Sequence, residues 1–256
     1  MQRNLLHLLL RPMAKKLNLP DAHLPRKPLT LSEMQIATSE RMQEISREFT
    51  QGFKFLNKFP KSVTFFGSTR IEEDSSYYKI ARNLGERVVK ELSYAVITGG
   101  GPGAMEAVNR GAKEAGGDSI GLTIRLPREQ VMNDYLTEHV DFYYFFSRKV
   151  CLSFSAEAFV FLPGGYGTLD EFFEIVTLLQ THKIPVAPVI LVGSEYWKKF
   201  EAYMKENLLS RGFIDEKDIK IFKITDDADE VIRIIQNAPV RTVVPYEGLR
   251  VNSLDE

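Results

Sequence analysis

FLPGGYGTLDEFFEIV, residues 161–176, changes structural period in mid-course. It closes the apolar run AFVFLP (158–163), turns through Pro163, Gly164, Gly165 and Gly167, and enters a helical pattern over 168–182. A strand delivered straight into a helix is a βα unit, and the alternation recurs throughout the chain from Lys61. Strands are expected at SVTFFG (62–67), YAVITG (94–99), SIGLTI (119–124), DFYYFF (141–146), AFVFLP, PVILVG (188–193) and IKIFKIT (219–225). Helices are expected over 75–92, 104–115, 147–155, 195–209 and 228–237 as well. The strands are short, rich in Val, Ile and Phe, and mostly do not alternate, as in a parallel sheet covered on both faces. The sequence therefore predicts an α/β fold: a doubly wound, Rossmann-like, mostly parallel sheet of about seven strands with helices on both faces. Seven strands and a leading helix disfavour a closed eight-stranded barrel.

Three regions follow. Residues 1–60 are expected to form an arm and a helix, 61–237 the Rossmann-like domain, and 238–256 an extended C-terminal tail. In the first region, Leu, Pro and basic residues without a period give way to a helical pattern from Ser32. Ile45, Phe49, Phe53 and Leu56 fall on one face there, and Pro60 ends it. Lys and Arg number 33 against 34 Asp and Glu, so no bulk field draws nucleic acid or an anionic membrane. An anion must be held by a local site. Cys151 is the only cysteine, which rules out an intrachain disulfide, argues against a cysteine metal centre and suits a reducing, cytoplasmic setting. His7, His23, His139 and His182 show no ligand spacing, and no metal is expected. The run Leu5–Leu10 is far short of the roughly 20 residues of a membrane span, and no cleavage site follows it.

Seven of the 17 glycines fall in two loops: Gly99, Gly100, Gly101 and Gly103, then Gly164, Gly165 and Gly167. Each loop follows a strand and opens a helix, so both belong at the carboxyl edge of a parallel sheet, where helix N-termini suit a phosphate. Gly99, Gly101 and Ala104 match the dinucleotide fingerprint G-x-G-x-x-[GA]. However, the motif is not on the first strand, and no carboxylate follows the next strand at Ile124-Arg125. Neither loop carries the Gly-Lys-Ser/Thr of a nucleoside-triphosphate loop. A mononucleotide or sugar phosphate is the expected ligand.

Thr168-Leu-Asp-Glu171 reads as a capping box. Asp170 and Glu171 would then lie in the first helical turn, where the dipole favours an ionised carboxylate able to act as base or electrostatic stabiliser. Ser147 is a candidate N-cap, and Arg148-Lys149 behind it oppose the macrodipole at about 0.3–1 kcal/mol each. A bound phosphate, or Glu171 across the cleft, would reverse that sign.

PGGYGTLDE (163–171) resembles the PGGxGTxxE signature of the LOG (Lonely Guy) family, cytokinin riboside 5′-monophosphate phosphoribohydrolases often labelled lysine decarboxylases. VITGGGPGAMEAVNRGA (96–112), SRK (147–149) and FFGSTR (65–70) resemble further family motifs. The resemblance implies hydrolysis of the N-glycosidic bond of a nucleoside 5′-monophosphate, AMP or N6-modified AMP, without a cofactor. It implies Arg148 and Glu171 as catalytic residues, Gly164, Gly165, Gly167 and Thr168 at the phosphate, and Met105 and Glu106 by the nucleotide. The matched positions Ser68, Arg70, Gly100, Gly101, Gly103, Lys149, Tyr166 and Asp170 complete the implied substrate-binding set. A homodimer is expected from family habit and from the helical arm. Decarboxylation with pyridoxal phosphate would need a lysine set apart from the solvated ones, and the sequence marks none. The rival reading is a nucleotide or cofactor carrier of the same fold that binds without turnover.

Overall fold

Strand β1 (Ser62–Phe66) lies at the centre of the sheet and is buried along its whole length. Val63 and Phe65 face one hydrophobic cluster and Phe66 the other. Around it run β2 (Ala95–Thr98), β3 (Ser119–Ile124), β4 (Glu138–Phe142), β5 (Ala158–Phe161), β6 (Val189–Leu191) and β7 (Phe222–Ile224). All pairings are parallel, in the order β4-β3-β2-β1-β5-β6-β7. This computed structural model describes residues 30–125 and 132–239, so the expected arm and the extended tail lie outside the described residues.

The helices are α1 (Leu31–Leu56), α2 (Ser76–Leu92), α3 (Ala104–Glu114), α4 (Phe145–Ser153), α5 (Tyr166–Gln180), α6 (Ser194–Met204) and α7 (Ala228–Gln236). Residues of α2, α3 and α7 cover one face of the sheet. Those of α4, α5, α6 and the carboxyl-terminal part of α1 cover the other. On that second face Phe66 and Phe161 stack at 4.6 Å, and Phe172 and Trp197 pack edge-on to Phe161. The expected doubly wound fold is the one observed. No described helix is long and apolar enough to cross a membrane.

Five local expectations are corrected. Of the run 141–146, only Asp141 and Phe142 are strand. The strand is Glu138–Phe142, whose mostly exposed polar residues are tolerated because β4 is a sheet edge, and Phe145 already belongs to α4. The strand expected over 219–225 shrinks to Phe222–Ile224 behind a 3-10 turn, and the helix expected over 195–209 ends in a π-helical turn from Lys205. The capping box does not form at Thr168–Glu171, because α5 starts earlier, from Gly165. A reciprocal box of the same T-x-x-E pattern does form at Thr30–Glu33, where the Glu33 carboxylate accepts the Thr30 N–H at 2.7 Å and the Glu33 N–H reaches Thr30 Oγ1 at 3.3 Å. Finally, the fully buried positions of α1 are Glu48, Gly52 and Leu56, a face rotated from the expected apolar one.

The chain divides into two units, one ending at Met42 and the other starting at Gln43. The described part of the first is the amino-terminal portion of α1. Everything below concerns the second.

Candidate active site

Strand order reverses between β1 and β5, the place where open α/β sheets bind ligands. A cavity of about 870 Å³ opens there, lined by residues 66–70, 99, 101, 102, 105, 124, 148, 165–169 and 171. Both glycine loops therefore contribute to one space.

The turn after β1 ties them together. Ser68 donates its backbone N–H to the Pro163 carbonyl and accepts the Ala104 N–H, each at 3.0 Å. Its hydroxyl accepts the Arg70 N–H at 3.0 Å. Gly103 permits the approach: its φ is +71°, and a Cβ there would stand 2.5 Å from the Ser68 carbonyl oxygen. Behind the first loop, Thr98 Oγ1 accepts the Gly100 N–H at 2.9 Å, and the Asn133 amide donates to the Gly101 carbonyl at 3.0 Å. The Tyr196 hydroxyl fixes the second loop by donating to the Gly164 carbonyl at 2.6 Å.

Helices α3 and α5 begin from Gly103 and Gly165, neither of which supplies a side-chain cap. Apart from the Ala104 N–H, which Ser68 takes, no side-chain cap competes with an anion for these helix starts. At Gly165 and Gly167 an added Cβ would meet nothing within 4 Å, and neither residue has a positive φ. The chain leaves that space open and does not fill it.

Arg148 and Glu171 converge at the cavity wall from α4 and α5. Helix α4 lies on the crossover from the edge strand β4 back to β5, which carries its side chains over the ends of β2 and β3. The Arg148 Nε donates to the Leu122 carbonyl at 2.6 Å. The guanidinium lies against Gly99, where a Cβ would collide with Nη2. Its Nη1 stands 3.7 Å from Glu171 Oε1, a charge contact too long for a hydrogen bond. Burial pushes the Glu171 carboxyl up to about 7; Arg148 and Lys149 oppose that rise, and Asp170 and Glu174 add to it. Burial likewise pulls the Arg148 guanidinium down, against the pull of Glu171.

This corrects the sequence reading in two ways. Glu171 lies beyond the first turn of α5, which holds no acidic residue, so desolvation outweighs the dipole, and both protonation states are populated near neutrality. Ser147 is not an N-cap either. Tyr144 holds that position, and the Ser147 hydroxyl donates to Glu48. The unfavourable end-of-helix exposure of Arg148 and Lys149 does not arise, because each has a carboxylate partner. Lys149 binds Asp170 at 2.9 Å and Glu174 at 3.0 Å. Partial burial lowers its pKa, but these two partners outweigh that and the net shift is upward.

The sequence model of the family described as "Possible lysine decarboxylase" matches residues 105–235, just over half of the chain. The cytokinin riboside 5′-monophosphate phosphoribohydrolase LOG of Oryza sativa subsp. japonica is 30% identical over 180 residues, covering 69% of this chain and 72% of the relative. The chain belongs to the LOG family. Among solved structures, the structural-genomics target TM1055 is 27% identical with a TM-score of 0.53, over 69% of this chain and 98% of that one. The molybdenum cofactor carrier protein of Chlamydomonas reinhardtii shares the fold, at 20% identity and a TM-score of 0.50 over 69% of this chain and 96% of that one.

The residues marked out by the LOG motifs separate by position. Ser68, Arg70, Gly101, Met105, Arg148, Gly165, Tyr166, Gly167, Thr168 and Glu171 line the cavity. Gly100, Gly103 and Gly164 shape the loops from behind. Asp170 and Lys149 pair beside the wall, and Glu106 accepts the Tyr78 hydroxyl at 3.0 Å, away from the lining. The sequence reading missed Gly99 as the seat of Arg148, although it named the residue in the loop. It also missed the Leu122 carbonyl, a backbone group that side-chain patterns cannot reveal, and the lining residues Thr69, Ile124 and Leu169. Among the described residues, no group of three or more His, Cys, Asp or Glu stands together as a metal site would require.

Proposed function

We propose that this protein hydrolyses the N-glycosidic bond of a purine nucleoside 5′-monophosphate, AMP or an N6-modified AMP, to the free base and ribose 5-phosphate. The observation that carries this reading is the meeting of Arg148 and Glu171 in the wall of the cavity that both glycine loops line. In this reading the 5′-phosphate rests on the N–H groups at the start of α5, over Gly165, Gly167 and Thr168, with the start of α3 opposite. Binding energy gathered at the phosphate then holds C1′ near Glu171. As the ribosyl C–N bond lengthens, positive charge develops at the ring oxygen and C1′. The ionised Glu171 stabilises that charge and orients the attacking water. Arg148, fixed on the Leu122 carbonyl, keeps part of the Glu171 population ionised and faces the departing base.

Lysine decarboxylation fits poorly. A Schiff-base lysine needs a depressed pKa, whereas Lys149, the lysine beside the site, is held charged by Asp170 and Glu174. We further propose that the protein acts as a homodimer in the cytoplasm. Exposed Phe53, Tyr143, Phe145 and Phe146 support the first point, and the lone cysteine, buried with its thiol pushed up to about 12, suits the second.

Incubating the pure protein with AMP and with N6-prenyl-AMP, and following base and ribose 5-phosphate by chromatography, tests the activity. Release of base from either supports hydrolysis, and their ratio gives the preference. Tight binding of nucleotide with no base released over hours would make the protein a carrier.

A further inference from the structure

Outside the cavity, Glu48 on α1 is a carboxylate only 2% exposed. It lies at the amino-terminal end of α4, whose own cap residue, Tyr144, makes no side-chain cap bond. The Glu48 carboxylate takes over that function from another element. One oxygen accepts the Tyr143 N–H, while the other accepts the Tyr144 N–H at 3.3 Å and the Ser147 hydroxyl. One turn along, Gly52 lets α1 lie close enough for this reach: a Cβ there would stand 2.6 Å from Cys151 Sγ and 2.9 Å from the Phe142 ring. An anion in this position complements the helix dipole, and the next residue after Ser147 is Arg148.

We propose that Glu48 is a positioning residue, a cap supplied in trans by α1 that sets the height of α4 and so the placing of the Arg148 guanidinium against Glu171. The inference deepens the proposed hydrolysis and rests on it for the meaning of any change in turnover. The geometric part stands without it. If Glu48 is lost, α4 is left with no anionic cap, and as it shifts only the Leu122 carbonyl bond holds the Arg148 guanidinium near Glu171, which it meets at 3.7 Å without a hydrogen bond.

The charges around each group fix the sign of the effect. Glu171 faces Arg148 and Lys149 from α4 and Asp170 and Glu174 from its own helix. Glu48 faces Cys151 on α4 and Arg47 beside it. Removing a negative charge would by itself ease the ionisation of Glu171 and move its titration to lower pH. Withdrawal of Arg148 does the opposite. An upward move therefore reports displacement of the arginine and not the missing charge of Glu48.

The test is a carboxyl-carbon NMR titration of Glu171 in the ligand-free protein, wild type against Glu48→Gln, with Glu171→Gln to assign the signal. We expect the midpoint to rise by about one unit, the scale of losing an opposite charge at this distance. An unchanged or lowered midpoint overturns the proposal. If wild type releases base from AMP, Glu48→Gln should lower kcat tenfold or more at a similar KM, because a displacement of about 1 Å can cost roughly 10²-fold. Adding Tyr144→Asp, which restores a cap from within α4, should recover most of the loss. A fall in kcat that follows only the folded fraction, without recovery, makes Glu48 merely structural and overturns the proposal. If wild type shows no turnover, the hydrolysis reading falls and the titration alone decides the role of Glu48. Should Glu48→Gln fail to fold, Ser147→Ala removes one contact to the same carboxylate. A smaller upward shift then supports the proposal, and no shift overturns it.

Discussion

The least comfortable residue in the fold is Glu171, and its discomfort can be measured. Its folded-state pKa, about 7, exceeds the ordinary 4.5 because burial disfavours the charge. The stability tied to a group shifted upward in this way is fully present below about 4.5 and is lost as pH rises through about 7. At pH 4 a Glu171→Gln variant should be about as stable as wild type, since the carboxyl is neutral in the folded protein and mostly neutral in the unfolded chain. By pH 8 wild type should trail the variant by roughly 3 kcal/mol, the worth of the shift at about 1.4 kcal/mol per unit. Paired denaturant titrations at the two pH values check this, and a gap that does not widen refutes the desolvated carboxylate. The same variant should lose about 10²–10³-fold in base release, the scale of removing one group that stabilises transition-state charge. Wild-type kcat should fall away below pH 7 as Glu171 protonates. Arg148→Lys keeps the charge but loses the forked geometry that meets the Leu122 carbonyl and Glu171 together. It should cost about 10²-fold in kcat with little change in melting temperature, measured by steady-state kinetics and calorimetry.

At the scale of elements, strands and glycine loops were legible because their signals are local: β-rich runs, turn residues and a switch of period. The meeting of the two loops could be inferred from parallel connectivity alone, since it places every βα turn on one edge. The bounds of β4 and α4 could not be read. Tyr143 to Phe146 look like a buried strand by hydrophobicity, yet they are the turn after an edge strand and the exposed start of a helix. The role of α1 was hidden for a related reason. Its buried stripe is a carboxylate, a glycine and a leucine, and only the leucine counts as apolar. Capping was misread because T-x-x-E occurs three times, at Thr30, Thr69 and Thr168, and nothing within four residues tells which copy has a free helix start. The glycines ahead of Thr168 provide the start themselves. The closeness of α1 gives a prediction of its own: Gly52→Leu overfills the contact with Cys151 and Phe142 and should cost about 1–3 kcal/mol. It should also lower kcat by lifting α1 off the helix that carries Arg148. An unaltered denaturation midpoint would show that α1 does not sit as described.

For the molecule as a whole, charge and surface point in one direction. A net charge of −1 leaves little electrostatic repulsion between copies. Aromatic rings touch in series here, Phe53 against Phe49, Phe49 against Phe146, Phe146 against Tyr144 and Tyr144 against Tyr143, and Phe145 is exposed at the start of the same helix α4. A connected apolar face of this kind marks association more often than solvent exposure, and a two-fold dimer is the commonest outcome for identical chains. Helix α4 supplies part of this face and also carries Arg148, so the proposed dimer and the proposed catalytic site share an element. Light scattering at micromolar concentration should give twice the 29.2 kDa chain mass. Tyr143→Asp with Phe145→Asp should return it to the single-chain value, and kcat should drop in the same variant while the circular dichroism spectrum is kept. A wild-type protein that runs as a single chain at those concentrations would sever association from the site. The aromatic face would then need a different partner.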